Sequence, residues 1–317
     1  MADPFYSLDI DEVKLILTEL EKLDLKSATK DIIIGILTRL LRHAGVVTRL
    51  QAGSVICRTV SCNHLKGEYP TKASQISYNP DLIGSSFGRA NWAGNSVFYG
   101  CISSEFIAAN DATYFELLDN LIKNPADIAQ ELFVVGTWVL QQDLDVITLS
   151  GNFKVETDAD KSRNAELTLF LTDYPENREA LNLIDRFLCN EFSKEVSRQE
   201  NWRYKISAAY AEFLKQDNWP GLIYPSYQSQ GAGINIMLYS DVVDKRIIQL
   251  VSAVGVLHYK RGIRHLNEYT LEAVTDGYDL TWRELNKYKL TDEMRSFITG
   301  KSDFDPFEGN VNYIDFE

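Results

Sequence analysis

The chain has 317 residues, 45% of them hydrophobic, enough to bury a substantial core in one large domain or two ordinary ones. A formal net charge of −13 argues against a surface that coats nucleic acid or anionic membrane, which needs basic patches to neutralise phosphate. A small anionic ligand stays open, because a few buried arginines make a local positive pocket in an acidic protein.

Met1-Ala2-Asp3-Pro4-Phe5-Tyr6 lacks the basic and apolar regions of a signal peptide, and no run approaches the roughly 18 apolar residues of a membrane span. The expectation is a soluble, cytoplasmic protein. Cys57, Cys62, Cys101 and Cys189 are widely spaced in mostly apolar runs, which reads as free buried thiols in a reducing compartment.

Asp9 or Asp11 can cap a first helix whose apolar residues Val13, Ile16, Leu17, Leu20 and Leu23 recur at helical spacing. Ser27 or Thr29 starts a second helix through Ile32, Ile33, Ile36, Leu37, Leu40 and Leu41, ending near Gly45. Residues 1–50 thus read as a helical hairpin, an N-terminal extension for packing or a partner. From 54 the texture changes to short strands at 54–60, 96–102, 133–139 and 145–149, separated by Gly, Pro, Asn and Ser.

Helices follow over 176–192 and 202–215, and strands return at 221–224 and 233–239. Such a mixture, without regular alternation, predicts an α+β fold over residues 51–260. Residues 261–317 are polar and charged and read as helix and loop wrapping the core.

Two segments carry the chemistry. Gly88-Arg89-Ala90-Asn91-Trp92 is a glycine-bounded loop that feeds a strand containing Tyr99, and Gly221-Leu222-Ile223-Tyr224-Pro225-Ser226 precedes Gly231-Ala232-Gly233-Ile234-Asn235. With Arg58 inside the apolar run Ile56-Cys57-Arg58-Thr59-Val60, they resemble the RES domain family over roughly 54–250. Members of that family act on NAD or use it as an ADP-ribose donor.

The resemblance implies a mixed sheet of the ADP-ribosyltransferase-like kind and cleavage of the nicotinamide–ribose bond by hydrolysis, phosphorolysis or ADP-ribose transfer. NAD is then the substrate, with no metal. Arg58 and Arg89 would hold its phosphates, Tyr99 would pack on the nicotinamide, Ser226 would contact ribose or amide, and Asn91 and Asn235 would support them. A toxin role, with an antitoxin or a protein target as partner, also follows, as does room for a homo-oligomer; nucleic acid and membrane have no part.

Each residue has a plainer reading from the sequence itself. Arg58 could pair with a surface carboxylate, Arg89 and Asn91 could tie a turn, Tyr99 could be core, and Ser226 could stabilise a turn.

One position departs from the family. Where a catalytic Glu is expected on the helix after the Tyr99 strand, this chain has Asn110, which carries no charge to stabilise an oxocarbenium ion. Glu105, Asp111 and Glu116 are nearby substitutes, with Asp111 rotated by roughly 100° on a helix. The alternative to an enzyme is therefore a weakened or inactive scaffold that binds NAD or a protein.

Other chemistries have little support. His43, His64, His258 and His265 are scattered, without metal-ligand spacing. Gly84-Ser85-Ser86-Phe87-Gly88 matches a nucleophile elbow only as a string, lacking the strand and helix around it. Gly231-Ala232-Gly233 precedes a strand, not a helix, so it is no dinucleotide fingerprint.

Overall fold

Side chains at the helix starts decide where the first elements begin. A computed structural model describes residues 9–40, 46–65, 68–80, 86–104, 107–113, 126–149, 161, 165, 168, 175–226, 233–262, 264–285 and 289–302. Asp9 caps α1 (Ile10–Lys22) by accepting from the Asp11 amide, and Thr29 caps α2 (Lys30–Leu37) by accepting from the Ile32 amide. Val13, Ile16 and Leu20 form the buried stripe of α1, as their spacing requires.

α2 stops at Leu37, and residues 46–50 are a strand, which corrects the all-helical reading of 1–50. Val46-Val47-Thr48-Arg49-Leu50 is a short run rich in β-branched residues, whose strand character comes from its partner.

Ten strands form one mixed sheet in the order β1-β5-β6-β7-β3-β2-β4-β8-β9-β10. They are β1 (Val46–Leu50), β2 (Val55–Ser61), β3 (Val97–Ile102), β4 (Ile128–Leu140), β5 (Leu144–Thr148), β6 (Gly221–Pro225), β7 (Ile234–Tyr239), β8 (Ile248–Arg261), β9 (Arg264–Thr275) and β10 (Leu280–Glu284). β5 and β6 run parallel and every other neighbouring pair is antiparallel. The expected α+β class stands.

The reading of 261–317 as helix and loop does not. β9 and β10 extend the sheet, and only then does a short helix, α6 (Asp292–Ile298), pack Phe297 and Ile298 against Tyr259. An antiparallel sheet with a solvated face admits polar residues at alternate positions, so polarity misled. The turn signal was present: Gly262, at a φ of 57°, sits between the paired residues Arg261 and Arg264.

The two sheet faces are covered differently. On one, α1, α2, α3 (Arg178–Ser193) and α4 (Lys205–Gln216) pack a common core over β5, β6, β7 and β3, joining Ile16, Leu37, Ile184, Tyr210, Leu222 and Met237. The N-terminal helices therefore belong to this core and are no appendage. Lys205 ties them in, its Nζ donating to the Ala28 carbonyl at 2.8 Å.

On the other face a continuous core runs from Ile223 and Leu238 through Phe98 and Ile56 to Trp138 and Leu250. α5 (Ser240–Asp244) adds Val242 to it. Among the described residues no helix is long and apolar enough to cross a membrane, which says nothing of a β-barrel.

Candidate active site

The sheet nearly divides at its middle. β2 and β3 share one registered pair, Cys57 with Cys101. Continuing that register would set Thr59 opposite Tyr99. Instead the Thr59 amide donates to Thr113 Oγ1 at 2.9 Å, and the Tyr99 carbonyl accepts from Arg58 Nη1 at 2.6 Å. Two side chains have taken the main-chain groups that a ladder would pair, so a seam opens between the strands.

Arg58 reaches into that seam. Its Nε donates to the Ser77 carbonyl at 3.1 Å, and its guanidinium lies 5.4 Å from the centre of the Phe98 ring. Burial pulls its pKa down to about 10, still protonated at neutral pH, and among the described residues it has no carboxylate partner. The expected surface ion pair is not made. Two side-chain hydroxyls in the residues that flank or hold Arg58, Thr59 Oγ1 and Ser77 Oγ, are buried without hydrogen-bond partners among the described residues. A buried cation beside unpaired polar atoms fits a polar, anionic guest.

Tyr99 organises the neighbouring loop. Its hydroxyl accepts from the Ala90 amide at 2.8 Å and donates to Asn91 Oδ1 at 2.8 Å. Burial raises the phenol pKa, and the Ala90 amide and the charges of Arg89 and Arg58 oppose that rise. Gly88 is required here: a Cβ would come 2.1 Å from Asn91 Oδ1 and 3.0 Å from the Tyr99 hydroxyl. The turn reading of Asn91 is met, and so is the core reading of Tyr99.

Arg89 also binds main chain. Its Nη1 donates to the carbonyls of Phe192 at 2.6 Å and Lys194 at 3.0 Å, where a cation suits the C-terminal end of α3. The guanidinium stacks 5.4 Å from the Tyr204 ring and, among the described residues, lacks a carboxylate partner. Lys205 adds a third cation, packed 5.4 Å from the Phe87 ring and 5.8 Å from that of Trp92. Nothing marked Lys205 in the sequence beyond its place inside the apolar face of a helix.

Ser226 and Asn235 lie on other strands, at the end of β6 and in β7. Ser226 is fully buried where β6 ends, its amide donating to the Gly233 carbonyl at 2.9 Å. Asn235 Oδ1 accepts from Cys101 Sγ at 3.1 Å, which links it to the one pair that closes the seam. The arrangement therefore joins Arg58, Tyr99, Asn91 and Arg89 closely, and Asn235 at one remove.

Asn110 stands elsewhere, in a groove of about 320 Å³ over β2, β4, β8 and β9, on the face that carries the four helices but beyond the strands they cover. It shares this lining with Asp111, Ser103, Cys57, Thr137 and Tyr269. Asn110 is exposed and its Nδ2 donates to Asp111 Oδ1 at 3.3 Å, so both adjacent residues face the groove. Glu105 and Glu116 fall outside the described residues, as do His43 and the His64 side chain.

Ser86 lies in loop, its Oγ accepting from Asn201 Nδ2 at 3.3 Å, and Gly84 and Ser85 of the string fall outside the described residues. His258 and His265 are not scattered: the β8–β9 hairpin brings His258 Nε2 to 3.0 Å from His265 Nδ1.

No family model and no curated protein sequence matches the chain. Among solved structures it is similar to the M. tuberculosis MbcT–MbcA toxin–antitoxin complex. The likeness has 13% sequence identity and a TM-score of 0.35, and covers 65% of this chain and 86% of the other.

Proposed function

We propose that this protein consumes NAD at the seam between β2 and β3, breaking the nicotinamide–ribose bond by hydrolysis, phosphorolysis or transfer of ADP-ribose. The observation that carries the reading is a pair of guanidinium groups at the Tyr99 segment, Arg58 on its carbonyl and Arg89 in the loop that its hydroxyl holds. In a chain with a net charge of −13, Arg58 and Arg89 are part-buried, hydrogen-bonded to main-chain carbonyls, and without a carboxylate partner among the described residues. Such cations favour an anion, and a guanidinium fork matches phosphate oxygens.

In this reading Arg58 and Arg89 hold the pyrophosphate and prevent its repulsion from an acidic surface. The Tyr99 ring offers a flat wall, while its hydroxyl, already engaged by Ala90 and Asn91, fixes the loop that carries Arg89. Asn235 steadies Cys101 at the closed end of the seam. Ser226 supports the end of β6 through its amide bond to the Gly233 carbonyl. The resemblance to RES proteins also leaves a toxin role with a neutralising protein partner as part of the proposal.

Asn110 favours a second reading, an NAD-binding or interaction module without turnover, because an exposed amide supplies no charge to an oxocarbenium-like transition state. Incubating the full chain with NAD and following nicotinamide release separates the two. Sustained release that vanishes in Arg58→Ala supports the enzyme; tight binding without release supports the module. Asn110→Glu is then expected to gain NAD cleavage.

A further inference from the structure

Resting on the NAD reading, we infer that Asp111 supplies the carboxylate that Asn110 cannot. Among the described residues Asp111 is the carboxylate that lines the groove, and nothing cationic holds it there. It sits on the helical residues 109–113, which are pinned at both ends. The Ala109 amide donates to Ser103 Oγ at 3.0 Å, and Thr113 Oγ1 accepts from the Thr59 amide at 2.9 Å.

Thr59 adjoins Arg58, and Cys57, on its other side, lines the groove with Asp111. Asp111 and Arg58 are thus both fixed to the stretch Cys57-Arg58-Thr59, one over the groove and one in the seam. Cys101, paired with Cys57, alternates onto the same face as Tyr99, so a dinucleotide held at the Arg89–Tyr99 loop would bring its ribose toward Asp111. Tyr269 and Val254 supply an apolar wall to that groove. Partial burial holds the Asp111 pKa above the ordinary aspartate value.

The chemistry balances as follows. The bond from ribose C1′ to the ring nitrogen breaks with its electron pair passing to that nitrogen, which neutralises the pyridinium and releases nicotinamide. The Asp111 carboxylate stabilises the positive charge left on the ribose. An oxygen of water or inorganic phosphate then bonds C1′. With water as acceptor, its proton passes to Asp111 and on to solvent.

The test uses the full chain, NAD, nicotinamide release and calorimetric NAD binding. Asp111→Asn is expected to lower kcat by about 10²–10⁴-fold, leaving NAD affinity within about threefold and the melting temperature unchanged. Asp111→Glu should keep part of the rate. The acidic limb of the parent's kcat profile should disappear in Asp111→Asn. Undiminished kcat in Asp111→Asn, or loss of binding in parallel with rate, overturns the assignment while the NAD reading survives. A parent protein that releases no nicotinamide overturns both.

Discussion

Thr59 and Tyr99 stand across from one another on neighbouring strands, yet neither bonds the other: Thr113 takes the amide of the first and Arg58 takes the carbonyl of the second. Arg58 is therefore structural and chemical at once. It satisfies two carbonyls that would otherwise be left bare, and it holds a positive charge at an opening in the sheet.

Replacing it separates those roles. Arg58→Ala should cost about 1–3 kcal/mol of stability, from carbonyls left without donors, and should reduce nicotinamide release at least about 100-fold. Arg58→Lys keeps the charge but not the planar fork, so it should recover stability more than activity. Denaturant titration beside the NAD assay checks this; a fully active Arg58→Lys would remove the phosphate-holding role.

Tyr99→Phe keeps the ring and deletes the hydroxyl that joins Ala90 to Asn91. A loss of about 1–3 kcal/mol is expected. Gly88→Ala pushes on the same Asn91 oxygen, so the double variant should lose less than the two single losses added together. Simple additivity in urea titrations would show that the loop is not held through Asn91.

The β8–β9 hairpin makes stability pH-dependent. His258 is buried, bonded through Nδ1 to Asn267 Oδ1 at 2.6 Å and through Nε2 to His265, and burial lowers its pKa to about 4. The unfolded chain, with its ordinary histidine value near 6.5, takes up the proton first as pH falls. Stability is then full above about pH 6.5 and declines toward pH 4, by roughly 3 kcal/mol at most. His265 is shifted the same way by burial and Lys260, and adds to the trend. Thermal melts between pH 7 and pH 4 should show a shallower decline for His258→Gln than for the parent; equal slopes would assign the effect to other groups.

A chain lacking residues 1–40 should fail to fold. Its loss would bare Ile184, Tyr210 and their neighbours, which share one core with Ile16, Leu20, Ile33 and Leu37. Gel filtration and circular dichroism of the truncated chain decide it; a monomeric, folded product would restore the idea of a dispensable extension.

Much of the helical framework was legible because its signals are local. Asp9 and Thr29 cap where capping chemistry requires, and α3 and α4 begin within three residues of their expected starts at 176 and 202. The strands β9 and β10 were not, since polar residues on an open sheet face look like loop until a neighbouring strand is known. The same holds for the site. Tyr99 and Asn91 are eight positions apart, and their loop could be read. Arg58 meets the Tyr99 carbonyl across 41 positions, and Thr113 meets Thr59 across 54. Those contacts replace a missing ladder pair, and no periodicity announces a bond that a strand declines to make.

The lone Cys57–Cys101 pair leaves two five-strand wings joined like a book at its spine. The continuous core beneath Phe98 and Ile56 glues the binding on one side, while the other side opens onto the groove. Few main-chain bonds cross that spine, so amides there are expected to exchange sooner than those inside either page. A molecule clasped across it would stiffen both, and amide exchange near the spine would slow before any side chain reacted.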